Sequence, residues 1–181
     1  MELKQYGGND SKILLMGLDN AGKTSILLSL KRNTNLMTFL RLNPTKGIER
    51  EKLKDLRSTL HVWDFGGQEQ YRKLYLKDLD EYFEGARKLI YVIDVQDIDR
   101  YEASLEYFQQ ILDYIVKSSS SVEISVFLHK FDTDLEFTST ELIKENVPRL
   151  VKKIEEMIPE NIKYQIFKTT IFTIFQKTSY L

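Results

Sequence analysis

No cysteine occurs anywhere in the 181 residues. That absence excludes disulfides, thiolate zinc sites, prenylation and palmitoylation together, and it leaves no sign of an oxidising compartment. An excess of one charge is lacking too. The chain has 26 basic and 27 acidic residues, a net charge of −1, so no overall field favours nucleic acid or anionic lipid. No apolar run approaches the roughly 20 residues of a membrane-spanning helix. Residues 1–6 form neither a signal peptide nor an amphipathic anchor, and Glu2 stands where myristoylation requires glycine. The expectation is a cytoplasmic protein with no nucleic-acid role and no direct membrane anchor, recruited to membranes only through partners.

What is present is the balance of a globular chain, 42% hydrophobic and 29% charged, with length enough for one full core. Short β-rich runs at 12–16, 60–64, 89–94, 122–128 and 164–167 alternate with helical patterns near 23–32, 101–117 and 140–157. The last of these helical patterns places Leu142, Ile143, Leu150, Val151, Ile154 and Ile158 along one face. Ile48–Lys54 reads as an additional strand, joined to 59–64 by the short polar turn 54–57 as an antiparallel hairpin. This rhythm predicts an α/β fold: a six-stranded, mostly parallel sheet with one antiparallel hairpin strand and helices on both faces. Ser118 to Ser121 reads as a surface linker. After Phe167 the tail is unusually apolar, with Ile171, Phe172, Ile174, Phe175 and Tyr180. Two readings stand for it: a short helix closing a sheet face, or a chain continuing into a C-terminal domain beyond residue 181.

Gly17-Leu18-Asp19-Asn20-Ala21-Gly22-Lys23-Thr24 follows directly on the apolar run Ile13 to Met16 and opens a helical pattern with Ile26, Leu27 and Leu30. Strand, glycine-bounded loop and helix together form the context a phosphate-binding P-loop requires. Its backbone N–H groups curl around a phosphate, backed by the positive end of a helix dipole. Lys23 is placed to bridge β- and γ-phosphates, and the Thr24 hydroxyl to ligate Mg²⁺. A P-loop alone also suits a small-molecule kinase or an ATPase.

A second constellation narrows the choice. Trp63-Asp64-Phe65-Gly66-Gly67-Gln68 puts a carboxylate at a strand end, then a glycine whose N–H can sense a γ-phosphate, then a glutamine able to orient water. Asp64 is expected to hold Mg²⁺ through water, and Gln68 is the expected catalytic residue. Between the two motifs, Pro44-Thr45-Lys46-Gly47 offers a second hydroxyl to the metal from Thr45. No acceptor-binding lid of the kind a small-molecule kinase needs is evident.

On these residues the chain resembles the Ras-like small GTPases. The P-loop, Pro44-Thr45-x-Gly47 and Trp63-Asp64-x-Gly66-Gly67-Gln68 look like the Arf branch. Leu89 to Asp94 with Gln96-Asp97, then Phe127-Leu128-His129-Lys130-Phe131-Asp132, and Phe167 to Phe172 are closer to the Rag/Gtr branch. The mixture suggests an Arf/Rag-type relative, archaeal in kind, outside the well-known subfamilies. The resemblance implies a single small G domain over residues 1–181 that binds GTP or GDP with Mg²⁺ and hydrolyses the γ-phosphate.

Residue by residue, it implies nucleotide contacts from Asp19, Asn20, Ala21, Gly22, Lys23, Thr24, Ser25, Thr45 and Gly67, and metal ligation by Thr24, Thr45 and Asp64. It also implies guanine recognition by Asp132, whose carboxylate accepts from the base, and by Lys130, whose stem lies over the ring. His129 stands where the wider family has asparagine and cannot duplicate an amide's donors and acceptor. Thr170 and Ile171 fall where the family turns a backbone amide to the guanine oxygen.

Without the family, His129 is a histidine ending a strand. His61, out of phase with Leu60 and Val62, is expected to face solvent. Trp63 and the helically spaced Tyr71, Tyr75, Tyr82 and Phe83 read as packing or partner surface. Residues 152–156 read as a solvated helix face.

Pro44 to Gly47 is the expected first switch; Arg41 and Arg50 flank it, but no arginine lies in the phosphate loop. Slow intrinsic turnover is therefore expected, with an activator supplying charge worth about 10³–10⁵ in rate. The resemblance further implies exchange-factor and effector proteins, and either a dimer with another GTPase or docking on a roadblock-type scaffold. The competing reading is a scaffold that holds nucleotide without hydrolysing it.

Overall fold

The computed structural model describes residues 10–31, 36–54, 58–132 and 141–171. Six strands form one sheet: β1 (Ser11–Gly17), β2 (Ile48–Lys54), β3 (Thr59–Phe65), β4 (Ala86–Asp94), β5 (Glu123–His129) and β6 (Tyr164–Lys168). Their order is β2-β3-β1-β4-β5-β6. Only the β2–β3 pair is antiparallel, in register from Ile48 opposite Phe65 to Lys54 opposite Thr59. The expected hairpin is therefore present, although its turn residues 55–57 lie outside the described residues.

The helices are α1 (Lys23–Ser29), α2 (Leu36–Leu40), α3 (Glu69–Tyr75), α4 (Leu79–Phe83), α5 (Tyr101–Ser118) and α6 (Glu141–Met157), with a 3₁₀ turn at Ile98–Arg100 before α5. The α1 helix stops at Ser29, short of the expected 32, and Leu30 at its end is 60% exposed. The helically spaced Tyr71, Tyr75, Tyr82 and Phe83 fall in α3 and α4, whereas α2 was not marked out, since five residues make too few turns to show an amphipathic repeat.

Alternation along the strands divides the interior in two. Leu14, Met16, Leu89, Tyr91, Ile93, Ile124, Val126 and Leu128 point to one face, where α5 brings Leu105, Phe108, Ile111 and Ile115 and α6 brings Leu150 and Ile154. Tyr75 and Phe83 fill the same core, and Phe65 meets Tyr75 and Tyr82 edge-on at 5.0 and 5.3 Å between ring centres. The smaller core on the opposite face joins Leu15, Val62 and Val92 to Ala21, Ile26 and Leu27 at the start of α1. The apolar stripe expected on the last helix is thus buried at Leu150, Ile154 and Ile158. The side chains of Leu142 and Ile143, and the tail residues Phe172, Ile174, Phe175 and Tyr180, lie outside the described residues.

Five parallel strands ending at one edge of the sheet place their following loops side by side. The chain builds outward from β1 first to β3 and then to β4, so the topological switch lies beside β1, where open α/β sheets hold their ligands.

Candidate functional site

The loop after β1 sets the first wall. Gly22 has φ +90°, and a Cβ there would stand 2.4 Å from the His129 ring, so both backbone and space demand glycine. Lys23 folds back under the loop and donates to the Leu18 carbonyl at 2.6 Å. Burial lowers its pKa to about 8, against the pull of Asp64 and Asp19, which favour the charged form.

A second wall comes from β3. Asp64 is fully buried, and its Oδ2 accepts from the Thr24 hydroxyl at 2.6 Å and from Thr45 at 3.3 Å. The two threonine hydroxyls are 2.9 Å apart. Asp64 Oδ1 is buried with no hydrogen-bond partner, and burial raises the carboxyl pKa. The Asp64 carboxylate, one of its oxygens unpartnered, and two hydroxyls are hard oxygen donors gathered at one point, and they fit Mg²⁺. Among the described residues no three His, Asp or Glu side chains cluster for a metal.

The first switch, at 44–47, and a second switch segment at 66–68 close over this centre. Gly66 N–H donates to the Gly47 carbonyl at 2.8 Å, and Tyr75 OH to the same oxygen at 2.7 Å, which locks the first switch to the second. Gly67 packs so closely on the phosphate loop that a Cβ would stand 2.1 Å from the Asp19 nitrogen. Gln68 precedes α3 and, with Asp19, Asn20, Gly22, Lys23, Thr24, Ser25, Thr45 and Gly67, lines a cavity of about 210 Å³. A wider groove of about 1000 Å³ adjoins it along Asn43, Pro44 and Thr45, and Arg41 lines that groove. Ala21 turns instead into the α1-side core.

At the other end, His129 is buried with Nδ1 2.9 Å from the Thr169 hydroxyl. Lys130 has φ +60° and donates to Asp94 Oδ2 at 2.6 Å. The Thr170 hydroxyl donates to Asp132 Oδ1 at 2.5 Å. Ile171, half-buried, packs on the smaller core.

The conserved region of Gtr1/RagA G proteins matches residues 12–179, taking in every one of these groups. The chain belongs to the Gtr1/RagA G protein family. A solved structure of the Arl6 BBS3 small GTPase from Trypanosoma brucei, with a bound nucleotide analogue GppNp, is similar with a TM-score of 0.62. Identity is 22%, over 89% of this chain and 87% of that one. At that identity the likeness concerns the fold, that of a small GTPase.

Several residues of this G protein's site escaped the sequence reading. Gln96 donates to Asp132 Oδ2 at 2.9 Å and to the Lys130 carbonyl at 2.9 Å. Arg72 holds the Gly67 carbonyl at 2.9 Å. Arg100 reaches Asp19. Gln96 and Asp97 were noticed only as part of a resemblance. No periodicity marks such groups: Gln96 and Arg100 act across 36 and 81 residues, and Arg72 on a backbone carbonyl that no motif singles out.

Other expectations resolve as packing. Trp63 is half-buried beneath Lys12 Nζ at 3.9 Å and the Arg50 guanidinium at 4.1 Å, which ties Arg50 to the ring. His61, expected to face solvent, is partly covered and lies 3.3 Å from Asp10. Lys152, Lys153, Glu155 and Glu156 are exposed, as a solvated face should be. Among the described residues no helix is long and apolar enough to cross a membrane.

Proposed function

We propose that this G protein is a Mg²⁺-dependent switch that binds GTP and GDP and slowly hydrolyses the γ-phosphate, its switch segments selecting partners by nucleotide state. The observation that carries the reading is the convergence of the Thr24 and Thr45 hydroxyls on Asp64 Oδ2, with the buried Oδ1 of the same carboxylate unpartnered and the Lys23 ammonium alongside. Three separate segments supply those groups, so the first switch and the metal centre are one structure.

Thr24, Thr45 and Asp64 would hold Mg²⁺, which when bound neutralises phosphate charge and orients the triphosphate. Lys23 and the loop amides supply the remaining positive field, and phosphate would keep the buried Lys23 protonated. Gly67 offers its N–H beside the loop, and Gln68, at the cavity edge, aligns water for in-line attack. Asp132 and Lys130 take the guanine base, with the Thr170–Ile171 backbone beside them. The chemistry is positioning and electrostatics with no covalent intermediate.

The family match across 12–179 supports reading the 181 residues as one G domain. Family membership also motivates exchange-factor, activator and effector partners, and pairing with a second GTPase or a roadblock-type scaffold; these rest on analogy. Among the described residues no arginine lines the smaller cavity, so an activator would supply the missing charge.

Gln68→Leu tests the reading. It should retain bound GTP while single-turnover phosphate release falls on the order of tenfold or more. Unchanged release removes Gln68 from the mechanism. Tight GTP binding by the unaltered protein without any release, with or without cell extract, would instead mark a nucleotide-holding scaffold.

A further inference from the structure

Arg100 grips the phosphate loop twice. From the 3₁₀ turn that follows β4, its Nη1 donates to Asp19 Oδ1 and its Nη2 to the Asp19 carbonyl, both at 3.1 Å. Its Nε is in turn fixed by Asp97 Oδ2 at 2.5 Å, three residues back on the same turn. This uses both donor edges of one planar fork: one meets a side-chain oxygen and a backbone oxygen of the loop, the other the carboxylate that aims the fork. Lysine could not make that arrangement. Asp97 and Asp19 both hold the guanidinium firmly in its charged form.

Asp19 also lines the phosphate cavity beside Lys23, Thr24 and Gln68. Its negative charge reaches Lys23, where it favours the ammonium, and Arg100 opposes that effect. A carboxylate here is an electrostatic liability for a phosphate chain, and the liability grows with the number of phosphate charges. A free Asp19 side chain would repel a triphosphate more than a diphosphate.

We propose that Arg100 is a positioning residue that holds the Asp19 carboxylate against the β4–α5 turn and neutralises it, biasing the loop toward nucleoside triphosphate over diphosphate. The proposal rests on the nucleotide-binding reading above. It places a built-in arginine at the phosphate loop in a role distinct from stabilising the transition state. The same turn carries Gln96 to Asp132, so one short segment disciplines both the loop that meets the phosphates and the loop that meets the base.

The test is the pair of dissociation rates of fluorescent GTP and GDP analogues with Mg²⁺ present, in the full chain. Arg100→Ala should speed GTP release roughly five- to tenfold relative to its effect on GDP release, a size suited to a partly exposed charge pair. Arg100→Gln, which keeps donors and loses charge, should show the same selectivity loss. In an Asp19→Ala background, removing Arg100 should change the GTP-to-GDP ratio less than about twofold, because the charge it offsets is gone. Equal acceleration of both nucleotides, or an Arg100 effect that persists without Asp19, overturns the proposal and leaves Arg100 a structural tie. If the unaltered protein binds neither nucleotide, it is the parent reading that fails.

Discussion

The imidazole at position 129 ties two loops together. Its ring fills the space that a Gly22 side chain would need, and Nδ1 meets the Thr169 hydroxyl, so it joins the phosphate loop to the loop after β6. Burial lowers the His129 pKa below 6.5, with the Lys130 charge adding to the effect. The sign follows from linkage. As pH falls through 6.5 the unfolded chain takes up a proton that the folded chain refuses, so stability is lost on acidification. His129→Asn, which cannot titrate, should therefore lose less thermal stability than the unaltered protein between pH 7.5 and 5.5 (about one unit either side of the histidine range). The comparison is made with nucleotide bound. Equal losses in the two proteins would clear His129 of this role.

Among the elements, the second switch is defined by where a glycine must be. Gly66 and Gly67 pass between the first switch and the phosphate loop with no room for a β-carbon: a Cβ on Gly66 would stand 2.3 Å from the Thr45 carbonyl oxygen, and one on Gly67 would collide with Leu18 and Asp19. Gly67→Ala should push the start of α3 off the loop, lowering single-turnover GTP hydrolysis on the order of tenfold with little change in GDP affinity. Hydrolysis at the unaltered rate would show that this close approach is dispensable. Strands, the hairpin register and the long helices were legible because each repeats a period over enough residues to be counted. That the P-loop, Thr45, Asp64 and Gln68 come together was legible because each lies in a motif of local spacing. What stayed hidden joins distant segments: Arg100 and Asp19 are 81 residues apart, Gln96 and Asp132 36 apart. Nor could the sequence distinguish a titratable His129 on the surface from one buried against glycine, since only packing decides that.

Across the whole molecule, two buried lysines sit on β1 and just beyond it, and both are held below their ordinary pKa. Lys12, over Trp63 and bonded to the Glu84 carbonyl at 2.9 Å, is lowered to about 8 by burial, and Lys23 to about 8 for the same reason. Between that value and the ordinary lysine value of 10.5 the unfolded chain holds more protons than the folded one. The nucleotide-free protein should therefore gain stability as pH rises from 8 toward 10. Above about 10 the balance reverses. Tyr75 and Tyr101, pushed up to about 12 by burial, keep protons that unfolded tyrosines release. Nucleotide separates the two lysines. Phosphate would hold Lys23 charged in the folded state and erase its share of the rise, while Lys12, at the opposite end of β1 from the phosphate loop, keeps its own. Urea midpoints at several pH values across that window, with and without GTP and Mg²⁺, should show a positive slope that is shallower when nucleotide is bound. Slopes are the quantity to compare, because ligand binding also lifts the whole curve. A flat profile without nucleotide would mean that neither lysine is desolvated as the packing requires, and identical slopes would mean that Lys23 does not meet phosphate.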